Sequence, residues 1–207
     1  MGEKCRKIGI MGGTFDPIHN GHLMLGDYAC REYFLDEVWF MPNGNPPHKD
    51  NASIELSAEE RARMVSLAIR EYPSFRLEDY EIKRSCVSCS YETMEHLTKL
   101  YPKDSFYFII GADSLFAIET WRSPERLFAT CTILAAFRGD KNSRAIMNGK
   151  IRRLRRKYDA DIRLLDTPVM DVSSHELRRW IREGKDVSAL LPKTVEAYID
   201  EHQLYRQ

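Results

Sequence analysis

The segment Gly12–His22 (GGTFDPIHNGH) gathers glycines and histidines at a spacing suited to holding phosphate. Gly12, Gly13 and Gly21 have no side chain, so backbone N–H groups can approach an anion closely. His19 and His22 are compact donors that can carry positive charge when an anion is near. Such a pair suits a pentavalent, phosphorane-like state whose charge spreads over equatorial oxygens. Gly21 is followed by His22, so this is not a Walker loop, which ends in Gly-Lys-Ser/Thr. It is not G-x-G-x-x-G either. The plain alternative, two surface histidines beside a Gly-rich turn, fits poorly with so dense a motif straight after a first strand.

A second group stands at Val172–Arg178 (VSSHELR). Ser173 and Ser174 can cap a helix and offer hydroxyl and N–H groups to phosphate. Arg178, one turn on, can fork onto β- and γ-phosphates. The pair Cys86 and Cys89 forms a C-x-x-C but has no second pair for zinc, and no strand–helix context for thioredoxin-type chemistry. It reads as chance proximity in a loop.

The elements that must position these residues alternate. Strands are expected at Lys7–Met11, Glu37–Met41, Phe75–Leu77 with Tyr80–Ile82, Phe106–Ile110, Thr132–Phe137 and Ile162–Leu165. The first and fourth are nearly continuous in apolar residues, as parallel strands covered on both faces require. Helical patterns fall at Gly21–Phe34, Ala58–Glu71, Tyr91–Leu100, Pro124–Ala129, Ser143–Tyr158, Ser174–Glu183 and Val195–Gln203. Ser57 with Glu60 makes a capping box for the second of these. The alternation implies an α/β fold with a doubly wound parallel sheet and a small helical C-terminal part. We expect a single domain over 1–207, with 172–207 as a helical extension. In such a sheet, ligands gather outside the carboxyl ends of the strands, where Gly12–His22 begins. Pro42–Ser53 is the one long Pro/Asn/Gly-rich loop, a type that tends to carry function.

Composition bounds the partners. The 207 residues hold 31 Lys and Arg against 31 Asp and Glu, a net charge of zero, with 43% hydrophobic and 30% charged residues. A neutral balance argues against nucleic acid as a partner, because that work needs clustered cations. The run Lys150–Lys157 (KIRRLRRK) packs six cations into eight residues and reads mainly as a solvated helix face, with RNA or protein contact as the lesser alternative. Five scattered cysteines suit a reduced compartment. No apolar stretch near the start is long enough for a signal or membrane segment. Arg6 stands where N-myristoylation after Met1-Gly2 wants Ser or Thr. We therefore expect a cytoplasmic protein with no membrane partner and a possible homo-oligomer.

His19-Asn20-Gly21-His22 resembles the H-x-G-H signature of the nucleotidyltransferase superfamily, and Val172–Arg178 is similar to its I-S-S-T-x-I-R, with His175 in place of Thr. Further segments, over nearly the whole chain, resemble the bacterial nicotinate-mononucleotide adenylyltransferases. Pro42–Lys49 matches the P-x-x-x-P-P-H-K loop, in which Lys49 is a cation opposite the Gly/His turn and Asn43 can bind the acceptor phosphate. Ser88–Leu97 is similar to S-Y-T-x-D-T-L, with Cys89 for Tyr, Ser90 for Thr and Glu92 for Asp. There Thr93 takes the position that helps hold the nicotinate carboxylate through backbone N–H.

Gly111–Ser114 matches G-A-D-S, and Asp113 at a strand end suits ribose hydroxyls. Trp121 sits where relatives stack the pyridine ring, and Arg122 adds a cation that would favour a carboxylate over a carboxamide. Phe137-Arg138-Gly139 stands near A-R-P-G without its proline, leaving Arg138 without an assigned role.

The resemblance implies transfer of AMP from ATP to nicotinate mononucleotide. His19, His22, Lys49 and Arg178 would be catalytic. Gly12, Gly13, Thr14, Phe15, Gly21, Gly111, Asp113, Ser173 and Ser174 would hold ATP, and Asn43, Thr93, Trp121 and Arg122 the acceptor. Mg²⁺ is expected on the ATP phosphates, with no metal ligands from the chain. Another acceptor, such as nicotinamide mononucleotide or phosphopantetheine, and a non-catalytic nucleotide-binding module remain open.

Overall fold

The computed structural model describes residues 5–44, 54–84, 87–137, 141–168, 170 and 172–206. Lys49, Cys86 and Arg138 lie outside these residues. Six strands form one sheet: β1 (Lys7–Gly13), β2 (Glu37–Pro42), β3 (Phe75–Leu77), β4 (Ser105–Ile110), β5 (Thr132–Phe137) and β6 (Ile162–Asp166), in the order β3-β2-β1-β4-β5-β6. All five neighbouring pairs are parallel.

Parallel strands need crossovers, and these are mostly helical. They are α1 (Asn20–Tyr33), α2 (Ala58–Ala68), α3 (Ser90–Leu100), α4 (Ala112–Ala117), α5 (Pro124–Phe128) and α6 (Lys141–Tyr158), followed after β6 by α7 (Ser174–Arg182) and α8 (Lys193–Glu201). A 3₁₀ turn, Ile118–Thr120, joins α4 to the Trp121 segment.

The apolar runs behave as two-sided strands should. In β2, Val38 and Phe40 face one core layer while Trp39 and Met41 face the other. In β4, Tyr107 and Ile109 alternate in the same way with Phe106, Phe108 and Ile110. Residues 172–206 contribute Val172, Leu177, Val187, Leu191, Val195, Ile199 and Tyr205 to the first of these layers, where α1 and α2 also pack.

Several expectations are corrected. Tyr80–Ile82 is a run of turns, not strand, because the chain leaves the sheet after Leu77 and folds Glu81 inward. The second helix stops at Ala68, and the last runs Lys193–Glu201. The α4 helix and its 3₁₀ extension follow β4 where no helix was expected; at nine residues together they are too short for a clear period. Lys150–Lys157 is not purely a solvated face. Lys150, Arg153 and Lys157, on one side of α6, close on Glu119 at 2.8, 3.1 and 2.9 Å. Together they hold the Glu119 carboxyl down to about 2, with Lys150 first.

Candidate active site

The order 3-2-1-4-5-6 reverses direction between β1 and β4, and a crevice opens at their carboxyl ends. A cavity of about 830 Å³ fills it. Gly12, Gly13, Thr14, Phe15, His19, Gly21 and His22 line one end, with Ser173, Ser174 and Arg178 beside them. Gly111 and Asp113 line the wall after β4, and Asn43, Trp121 and Arg122 line the rest. One space thus brings together every described residue expected at the site except Thr93.

The Gly/His turn is held tightly. His19 is the N-cap of α1, with extended backbone, and its N–H donates to His22 Nδ1 at 3.3 Å. A neutral His22 whose Nδ1 accepts carries its proton on Nε2. The imidazoles stack with centroids 3.7 Å apart and planes 28° apart. Gly21 makes this possible: a Cβ there would lie 3.0 Å from His19 Nδ1 and 3.1 Å from Val172 Cγ1. Phe15 packs edge-on to His22 at 4.9 Å and sits at φ +52, a left-handed conformation costing about 1–3 kcal/mol for a bulky residue. Surrounding bonds must hold it there.

Arg61 is one such hold, and sequence reasoning missed it. Only 1% exposed, it donates to Thr14 O at 2.6 Å, Asn43 O at 2.8 Å and Asn43 Oδ1 at 3.4 Å. Burial lowers its pKa while Asp16 opposes that shift. With its oxygen so engaged, Asn43 keeps an amide N–H for the cavity it lines. Arg61 is one cation among several charges on an amphipathic helix, so nothing in the sequence marked it as buried.

The second motif caps α7 as expected, with one change. Ser173 Oγ accepts from Glu176 N–H at 3.2 Å and bonds Glu176 Oε2 at 3.0 Å; Ser174 Oγ donates to Pro17 O at 2.9 Å. Both hydroxyls and the Glu176 N–H are therefore engaged within the chain, and the Ser174 and His175 N–H groups are what the first turn of α7 leaves for an anion. Arg178, buried at the cavity wall, donates to Asp16 O at 2.6 Å and Glu55 Oε1 at 2.9 Å.

At the other end, Trp121 stands edge-on to Phe108 with ring centroids 6.4 Å apart, and Arg122 lies against the Cys89 thiol. Thr93 requires a correction. Its N–H donates to Cys89 O at 3.1 Å inside α3, and its hydroxyl donates to Glu81 Oε1 at 2.7 Å. It is the Ser90 and Tyr91 positions, at the start of α3, that line the cavity and whose N–H groups have no intrahelical acceptor. Glu81, also unforeseen, lines the same wall, and burial pushes its carboxyl up. Gly44 lets the turn after β2 lie on this segment, since a Cβ would fall 2.4 Å from Glu81 O.

Residues 10–180 match the family model described as cytidylyltransferase-like. Over 200 residues the chain is 42% identical to a probable nicotinate-nucleotide adenylyltransferase of Lachnoclostridium phytofermentans, covering 97% of this chain and 99% of the relative. This chain belongs to the nicotinate-nucleotide adenylyltransferases. A member from Oceanobacillus iheyensis is 39% identical, with 97% of each chain covered. In fold the chain is similar to nicotinic acid mononucleotide adenylyltransferase of Plasmodium falciparum complexed with NaAD, at TM-score 0.79, 22% identity and 97% coverage of both chains. The Gly/His turn and the start of α7 line one part of the cavity, and the start of α3 with Trp121 and Arg122 lines another. Among the described residues, no three His, Cys, Asp or Glu side chains converge as metal ligands, and no helix is long and apolar enough to cross a membrane.

Proposed function

We propose that this enzyme transfers AMP from ATP to nicotinate mononucleotide, releasing pyrophosphate and forming nicotinate adenine dinucleotide. The carrying observation is that one cavity joins the stacked His19–His22 pair to the Trp121–Arg122 wall. An oxygen of the acceptor phosphate attacks the α-phosphorus of ATP. The bond from that phosphorus to the bridging oxygen breaks, and pyrophosphate leaves with the electron pair. A phosphate monoester is largely ionised at neutral pH, so no general base is required.

Catalysis is then positioning and charge stabilisation. His19 and His22 meet the α- and β-phosphates, the N–H groups at Gly12, Gly13 and Gly21 and at the start of α7 bind triphosphate oxygens, and Arg178 and Lys49 add positive charge. Asp113 takes the ATP ribose. Trp121 stacks on the pyridine ring, while the Ser90 and Tyr91 N–H groups and Arg122 favour its carboxylate. The nucleotide enters as its Mg²⁺ complex, with the ion on the phosphates. On this reading residues 1–207 act as one domain, and 172–207 complete its nucleotide end.

The test is a turnover screen with MgATP and a set of acceptors, reading pyrophosphate and the dinucleotide. Nicotinate mononucleotide should give the highest kcat/KM. Preference for nicotinamide mononucleotide or phosphopantetheine would overturn the acceptor assignment. ATP binding without turnover of any acceptor would overturn the enzymatic one.

A further inference from the structure

Between β1 and α1 the chain forms no regular structure, yet it carries Phe15 in a left-handed conformation and ends on His19. Its centre is Asp16, only 1% exposed. One Asp16 oxygen accepts the Glu55 N–H at 2.8 Å. The other accepts the Tyr205 hydroxyl at 2.6 Å, from a residue 189 positions away whose own exposure is 6%. Asn20, just past His19, donates its N–H to Leu190 O at 2.9 Å and its side-chain amide to Ala189 O at 3.1 Å. With the Ser174–Pro17 and Arg178–Asp16 bonds, residues on both sides of His19 are tied to the segment 174–205. Tyr205 is the last of these ties along the chain and is not among the residues that line the cavity.

We infer that Tyr205 is a positioning residue for adenylyl transfer: its hydroxyl holds Asp16, and through Asp16 the turn that aims His19 and His22. The inference rests on the activity proposed above. Three features support a role in positioning beyond packing. The phenol ring is already buried in the core layer that α1 and α2 share, whereas the hydroxyl makes one short bond, and that bond goes to the catalytic turn. Burial and the Asp16 carboxylate push the phenol's pKa far up, so it stays a donor across the working pH range. The bond also masks a carboxylate that lines the cavity meant for a triphosphate. A displacement of about 1 Å at a catalytic group can cost roughly a hundredfold in rate, so this single tie can matter.

The test is Tyr205→Phe in the full chain, which deletes only the hydroxyl. Turnover is measured with MgATP and nicotinate mononucleotide at a temperature where circular dichroism shows parent and variant both folded. We expect kcat to fall about tenfold or more, with KM for the mononucleotide within about twofold of the parent. Asp16→Ala, which removes the acceptor from the other side, should lower kcat at least as much. Adding Tyr205→Phe to it should cost less than about twofold more. A lowered melting temperature with parental kcat would show a merely structural tie and overturn the inference, as would losses that multiply in the double variant. If Tyr205→Phe does not fold, parental kcat in Asp16→Ala overturns it alone. A parent that turns over no acceptor defeats the proposed function instead, so the two failures are distinguishable.

Discussion

At the β1 end of the cavity the ligand-facing groups are backbone N–H donors and a histidine pair, braced from several elements at once. Arg61 holds Thr14 and Asn43, Arg178 and Ser174 hold Asp16 and Pro17, and His19 and His22 hold each other. At the α3 end the cavity is lined by the first-turn backbone of α3, at Ser90 and Tyr91, and by side chains with fewer ties. Trp121 follows a 3₁₀ turn and meets Phe108 only edge-on, and Arg122 is exposed beside Ser123, itself at φ +49. The first arrangement suits groups that must stabilise developing charge without reorganising. The second suits selection of a ring and a carboxylate, where side chains can differ without disturbing the phosphate chemistry.

The sharpest way to break this contrast is His22→Ala. Removing a fixed transition-state donor should lower kcat by about 10²–10³ while KM for the acceptor changes little. Pyrophosphate release under saturating substrates measures it, and activity within a few-fold of the parent would remove the phosphate role from this turn. At the other end, Trp121→Ala should raise KM for nicotinate mononucleotide about tenfold and leave kcat near the parent. Lost stacking contributes about 0.5–1.5 kcal/mol beyond burial. Equal falls in kcat and kcat/KM would mean that the two ends are not separable in this way.

Glu81→Gln probes the acceptor wall through stability. Burial raises the Glu81 carboxyl above its ordinary 4.5 in the folded state. Its contribution is therefore full below the ordinary value and is lost as pH rises through the raised one. The melting temperature of the Gln variant relative to the parent should rise as the pH is taken up from the ordinary 4.5; a constant difference would contradict burial of an ionisable group there.

The smallest effect belongs to Glu119→Gln, outside both ends. The Glu119 carboxyl is held at about 2, so its contribution is present above 4.5 and is lost as pH falls through about 2. A solvent-facing network of this kind contributes little, at most about 1 kcal/mol, so near neutral pH the melting temperature should drop by only a few degrees. Both kinetic constants should stay parental.

Much of this was legible beforehand, for local reasons. The runs at Lys7–Met11 and Phe106–Ile110 are apolar on both faces, which only a covered parallel strand explains. The Ser57–Glu60 box fixed the start of α2, and it forms as read, with Ser57 Oγ accepting from Glu60 N–H at 3.1 Å. Glycine and histidine at fixed offsets marked the Gly/His turn that lines the cavity, because all of them lie within eleven consecutive residues. What stayed illegible depended on distant partners. Tyr80–Ile82 had strand-like composition, but the inward fold of Glu81 toward Thr93 overrode it. Thr93 matched the resemblance by position, while the first-turn geometry of α3 turned Ser90 and Tyr91, not Thr93, toward the cavity.

By itself, then, the sequence determined the class of fold and the family, and it singled out the Gly/His turn that lines the cavity. Periodicity, backbone permissiveness and cap chemistry are carried by neighbours along the chain. Only the tertiary structure decided that Arg61 lies 1% exposed beneath that turn and that Asp16 faces Tyr205 across 189 residues. It also decided that Lys150, Arg153 and Lys157 grip Glu119. A charged or phenolic side chain carries the same letters whether solvated or buried, and its partner is chosen when the sheet and its helices close.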